Sequence, residues 1–227
     1  METANVINVL SVDFDAILYP CIQLYNDRVS GNENPTIQWK ILERDLGIID
    51  HLRYDAKMLS LIQDYMQKAV TFGAKFIPIV SHEEIIEHLK PELKSGTKLD
   101  VLNIDFHHDI IYGKNHNDSI ISYDEYYCGD WVGYLYLKNN LQKYRWFKAP
   151  NSSMFDLEED WDKSLFEVYE NQQLEKIVED DRCIKGIDYV FFALSPQWVP
   201  YQYHHLYYLI SQSCINSEKA YNLKGGM

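Results

Sequence analysis

Residues 101–109, VLNIDFHHD, constrain this chain more than any other stretch. The apolar run 99–104 has the length and β-branched content of a buried strand, and Gly96 bounds it on the N-terminal side. Asp105, His107 and Asp109 therefore begin where that strand should end, and alternate positions of an extended segment share one face. Two carboxylates and an imidazole converging at the mouth of a sheet are costly to desolvate unless a cation or other partners compensate them. Hard-to-borderline divalent metals suit that ligand set. The plain alternative is a polar loop in which His107 bonds a neighbouring carboxylate without a metal.

Two further strand ends weigh against the plain alternative. Residues 6–15, VINVLSVDFD, form a second apolar run that closes on Asp13 and Asp15, and a third run at 75–80 stops at Ser81, His82 and Glu83. Three separate strand ends that each deliver metal-type ligands are hard to explain as polar loops alone. His82 stands at a strand-to-helix junction, where α/β sheets place ligands.

The rest of the chain supplies the frame. Leu52, Ile62 and Ala69 recur at helical spacing within 50–72, and Gly73 provides a stop. Ser81 and Glu84 have the spacing of a capping box for a helix over 83–89. Cys128-Gly129-Asp130-Trp131 opens another helix to about 139, with Asp130 either its N-cap or an anion aimed at substrate. The acidic stretch 156–181 reads as a helix with Leu157, Trp161, Leu165, Val168 and Leu174 on one side. Residues 186–194, GIDYVFFAL, are a fourth strand ending at Ser195-Pro196, and a last helix runs over 202–212, where His204 and His205 read as packing or surface residues. Strands alternating with helices imply an α/β fold, a three-layer α/β/α sandwich with a doubly wound, mostly parallel sheet. With no repeat or linker, residues 1–227 read as one domain.

Composition narrows the function. A formal net charge of −13 argues against nucleic acid and anionic membrane surfaces and favours a cationic partner. The four cysteines lie far apart without a CxxC, which argues against a zinc knuckle or disulfide framework and fits a reducing cytoplasm. Residues 1–10 lack a basic leader, and no apolar run approaches a membrane span.

These residues resemble a superfamily. The arginase, agmatinase and histone-deacetylase-like enzymes carry a DAHxD motif, a SxDxDxxDP motif and a His in GGDH; this chain has Asp105-Phe106-His107-His108-Asp109, Ser11-Val12-Asp13-Phe14-Asp15 and Ser81-His82. Here the SxDxD element comes first instead of last. That order, with CGDW at 128–131 and SPQW at 195–198, is similar to the permuted peptide arginases, which convert arginines of ribosomally made precursor peptides.

The resemblance implies a binuclear centre in which Asp105 and Asp13 bridge two ions, His82 and Asp109 complete one ion's ligands, and His107 and Asp15 complete the other's. Four carboxylates and two imidazoles are a mostly oxygen set that suits Mn2+. The implied reaction is hydrolysis of a guanidinium group to ornithine and urea, with Asp130 and Glu83 as candidates for fixing the planar cation. The family's proton-shuttling His has no secure counterpart, because Cys128 stands near its place; His108 and His116 are the candidates. Tyr112, Tyr123, Tyr126 and Tyr127 are expected around the mouth, covering a peptide and stacking on guanidinium.

Other readings compete. Asp13 and Asp15 after an apolar strand resemble the DxD of haloacid-dehalogenase-type, Mg2+-dependent phosphatases, but Ala16-Ile17-Leu18 departs from that pattern and His82 and the HHD cluster are left idle. A DHH-type phosphoesterase is disfavoured by Phe106 interrupting the motif. A small-molecule guanidino hydrolase and a metal-free interaction protein complete the set.

Overall fold

The computed structural model describes residues 5–19, 34–47, 50, 52–110, 120–149, 152, 161–170, 173–178 and 184–223. In chain order the strands are β1 (Val6–Asp13), β2 (Leu18–Tyr19), β3 (Arg53–Tyr54), β4 (Lys75–Ile79), β5 (Lys98–Asp105), β6 (Leu141–Lys148), β7 (Phe166–Glu170) and β8 (Tyr189–Ala193). The helices are α1 (Pro35–Leu46), α2 (Ala56–Thr71), α3 (Glu84–His88), α4 (Lys90–Lys94), α5 (Trp131–Leu137), α6 (Leu174–Val178) and α7 (His204–Leu223). Six strands form one sheet in the order β4-β8-β1-β5-β6-β7, and every pairing in it is parallel. β2 and β3 make a separate antiparallel pair.

A parallel sheet needs cover on both faces, and the alternation of each strand supplies it. Leu10 and Val12 of β1, Phe76 of β4, and Val190 and Phe192 of β8 pack with Ile62, Tyr65 and Met66 of α2 and Tyr207, Ile210 and Cys214 of α7. On the other face Val9, Val101, Tyr144, Trp146 and Phe191 pack with Ile85 and Ile86 of α3, Leu93 of α4, and Trp131, Val132 and Leu135 of α5. The result is the expected three-layer α/β/α sandwich. The edges are blunted: Pro78, which has no N–H to offer, lies in edge strand β4, and Glu167 and Glu170 lie in edge strand β7.

Several boundaries differ from expectation. The helix read over 50–72 begins at Ala56, because Arg53–Tyr54 pairs with β2 and the Asp55 carboxylate accepts from Met58 N at 2.9 Å to cap α2. Gly73 does end that segment: it sits at φ +107°, and a Cβ there would come within 2.9 Å of the Tyr221 hydroxyl. Of the capping box, Glu84 contributes its half by accepting from the Ser81 and Val80 N–H groups, while the Ser81 hydroxyl donates to Glu83 instead. α5 stops at Leu137. α7 extends well past 212, to Leu223.

The largest correction is the acidic stretch. Between 161 and 178 it holds strand β7 and the short α6 in place of one helix, and Leu157 lies outside the described residues. Lys143 and Lys148 of β6 pair across the strands with Glu167 and Glu170, at 2.7 and 3.1 Å, so charge that reads as a solvated helix face is a cross-strand ladder. Among the described residues no helix is long and apolar enough to cross a membrane.

Candidate metal centre

Four adjacent strands, β4, β8, β1 and β5, aim their carboxyl ends at one point. Asp13 ends β1, Asp15 follows in a 3-10 turn at Phe14–Ile17, and Asp105 ends β5. His107 and Asp109 follow Asp105, while His82 and Ser195 follow the ends of β4 and β8. All six side chains lie at this edge of the sheet, five of them in groups that could hold an ion and Asp109 beside His82.

The ligand atoms form two groups. Asp13, His82 and Asp105 place one atom each within 4.8 Å of one another, and so do Asp15, Asp105 and His107. Asp105 belongs to both. Asp13 belongs to the first and is tied to the second, since its Oδ1 accepts from Asp15 N at 3.1 Å. In the first group His82 Nδ1 lies 3.1 Å from Asp105, 3.8 Å from Asp13 and 2.8 Å from Asp109. Asp109 therefore stands beside that group, held on His82. In the second, His107 Nδ1 is 3.0 Å from Asp15 Oδ2 and 3.8 Å from Asp105.

Side chains behind the ligands orient them. With Nδ1 turned to the carboxylates, His82 presents Nε2 to Ser11 Oγ at 3.2 Å, an arrangement that fixes the tautomer of a ligating histidine. Ser195 Oγ donates to Asp13 Oδ2 at 2.5 Å, Asn103 Nδ2 donates to Asp105 Oδ2 at 3.1 Å, and Trp131 Nε1 donates to Asp109 Oδ2 at 2.8 Å. Ser11 and Asn103 are register partners on β1 and β5, two residues below Asp13 and Asp105 on the same face. Asp109 (φ 50°) and Ser195 (φ 47°) are both held in the left-handed region without being glycine, a strain of order 1–3 kcal/mol each that the surrounding bonds sustain.

Electrostatics sets the character of the centre. Asp13, Asp15, Asp105, Asp109 and His82 are buried, and among the described residues no Lys or Arg forms an ion pair with these carboxylates. Burial, then the charges of neighbouring carboxylates, pushes Asp13 and Asp15 well above the usual range, and burial with the Asp105 charge lifts Asp109 to about 7. Burial opposes ionisation of Asp105 too, but the His82 hydrogen bond and charge outweigh it and hold that carboxyl down at about 2. Burial pulls His82 down, yet its bonds to Asp105 and Asp109 win and raise it. Asp15 Oδ2 is buried, with His107 Nδ1 3.0 Å away. Buried carboxylates and imidazoles without a cationic side chain among them are a donor set that fits a divalent metal ion.

The expected substrate and catalytic residues fare unequally. Asp130 is buried at the start of α5 and makes no side-chain cap bond to that helix. Glu83 is half-buried beside His82. His108 packs edge-on to Trp146, with Ile110 N–H donating to its Nδ1; burial, with the charge of His107, pulls its pKa down to about 4. Cys128 is half-buried, and burial together with the charges of Asp109 and Glu83 pushes its thiol up to about 12, so it holds its proton at neutral pH. Tyr123 and Tyr127 are exposed, and Tyr126 donates to Glu87 at 2.6 Å and packs on Tyr134. His116 and Tyr112 lie outside the described residues.

Fold and site together define an α/β protein with a buried carboxylate–imidazole centre at the carboxyl edge of its sheet. Comparison with protein-family models, curated proteins and solved structures finds no match to this chain.

Proposed function

We propose that the protein is a two-metal hydrolase that converts arginine side chains of a precursor peptide to ornithine and releases urea. The observation that carries the metal part is the pair of ligand groups joined by Asp105. The choice of guanidinium rests on the resemblance of the DFHHD, SVDFD, CGDW and SPQW elements to peptide arginases, and on an acidic chain that favours a cationic partner. Two Mn2+ ions held by Asp13, Asp15, His82, Asp105, His107 and Asp109 would supply Lewis acidity and an activated water at neutral pH.

The chain's own residues do the rest. Asp105 holds both halves of the centre in register, and Ser11, Asn103, Ser195 and Trp131 keep the ligands from turning away. Asp130 and Glu83 are the carboxylates we assign to fixing the planar cation. Hydrolysis breaks the bond between the guanidinium carbon and the side-chain nitrogen: water oxygen stays on carbon, in urea, and a proton goes to the amine left on the peptide. The phosphatase alternative needs Asp13 as a free nucleophile, whereas its oxygens accept from Asp15 N and from Ser195. Free thiols at Cys128 and Cys214 accord with a cytoplasmic setting.

The test is urea release from arginine-containing peptides with and without Mn2+. The treated peptide should lose about 42 Da per converted residue, the mass change of that hydrolysis. Equal or greater efficiency on free arginine overturns the peptide part of the reading, and no urea from either substrate overturns the whole.

A further inference from the structure

The centre is closed by side chains on most of its circumference and open at His107, the one ligand whose ring is appreciably exposed, at 13%. Trp198 stands there. Its ring centroid lies 4.3 Å from that of His107, tilted by 47°, and the indole is only half-buried.

The segment that carries Trp198 is firmly built. Ser195, in its left-handed conformation, accepts from the N–H groups of Trp198 and Val199 at 2.9 Å each, while its hydroxyl is on Asp13. The fully buried Trp39 donates Nε1–H to the Pro196 carbonyl at 2.9 Å. One turn thus sets both a ligand of the first group and an aromatic face beside the second. Among the described residues no Lys or Arg lies over the Trp198 ring.

We propose that Trp198 is the platform on which the substrate's planar cation lies as it enters the centre, and so a specificity-determining residue. This deepens the guanidinium reading above and rests on it. The electron-rich face of an indole attracts a guanidinium, and partial exclusion of water strengthens that attraction. Phe106 also meets the His107 ring, edge-on at 5.1 Å, but it is buried; Trp198 is the half-buried ring on His107 and so offers a face to an entering cation.

The experiment uses Mn2+-loaded full-length protein and two peptides that cannot be converted. One carries an amidinium-ended isostere of arginine, with carbon in place of the bridging nitrogen; the other carries neutral citrulline. Wild type should prefer the cationic peptide. Trp198→Leu should weaken its binding roughly 10-fold, a magnitude expected of a partly desolvated cation–π contact, with little change for the citrulline peptide. Trp198→Phe should retain most of the preference, and both variants should keep the wild-type ion count. If Trp198→Leu keeps the preference, or if both variants lose ions in proportion to lost binding, Trp198 merely packs on His107 and the proposal is overturned while the guanidinium reading stands. If wild type shows no preference for the cation, both fall together.

Discussion

The two halves of the centre differ in how they are held. His82 is enclosed, with Ser11 on one ring nitrogen, Asp109 and Asp105 on the other, and Trp131 securing Asp109 from behind. His107 touches Asp15 and Asp105, leans on Trp198 and keeps part of its ring in solvent. Both halves draw on Asp105. A ligand whose outer bonds are all made is pre-organised for an ion, while one left partly open is placed for exchange and for contact with substrate. Under the two-metal proposal the difference would give retention to the His82 half and access to the His107 half.

The most severe way to break that comparison is to remove what the halves share. Asp105→Asn should lower bound Mn2+ from about two ions per chain to below about one, because a neutral amide supplies neither charge nor bridging geometry. Urea formation should vanish while the far-UV circular dichroism stays native. Two retained ions in this variant would remove Asp105 from the centre.

A smaller effect separates the halves. His107→Ala should keep about one ion, held by the His82 group, with little change in thermal stability. His82→Ala should lose that ion and also destabilise the metal-free protein by about 3 kcal/mol, since it leaves Asp105 and Asp109 buried without their main partner. Elemental analysis and thermal melts of the two variants, side by side, read the asymmetry directly. Equal ion loss and equal melting shifts would abolish it.

Much of this centre was legible in the sequence, for a physical reason. The apolar runs that became β1, β4, β5 and β8 are buried on both faces, so they stand out, and their ends carry the ligands. β6 and β7 were not legible, because Lys143, Lys148, Glu167 and Glu170 look solvated until their cross-strand pairing is seen. The supporting groups were hidden by distance along the chain: Ser195 meets Asp13 across 182 residues and Ser11 meets His82 across 71. Asn103 offered one signal, a carboxamide between Leu102 and Ile104. Trp198 offered none beyond its motif, since only the strained turn at Ser195 brings it to His107.

The finest test of the comparison acts on a bond that touches no proposed ligand atom of His107. Trp131→Phe keeps an aromatic ring in the core and removes the N–H that Asp109 Oδ2 accepts, together with part of a fully buried indole, so its thermal melt is read beside its ion binding. That donor favours the ionised carboxylate, and Asp109 is already lifted to about 7 by burial and by the charge of Asp105. Losing it raises the pKa further. A carboxyl whose folded pKa exceeds its unfolded one stabilises the metal-free fold at low pH, and that contribution is lost as pH rises through about 7. Ion binding runs the other way, because it requires the proton to leave. Trp131→Phe should therefore weaken the His82-side ion about 10-fold near neutral pH, the lower end for loss of a ligand's outer partner, and the deficit should shrink as pH rises above the shifted value. The His107-side ion should bind as in wild type throughout. Titration of metal-free protein with Mn2+ at several pH values checks this. A deficit shared by both ions, or one that does not change with pH, would mean that Trp131 supports the whole sheet edge and gives the His82 half no advantage of its own.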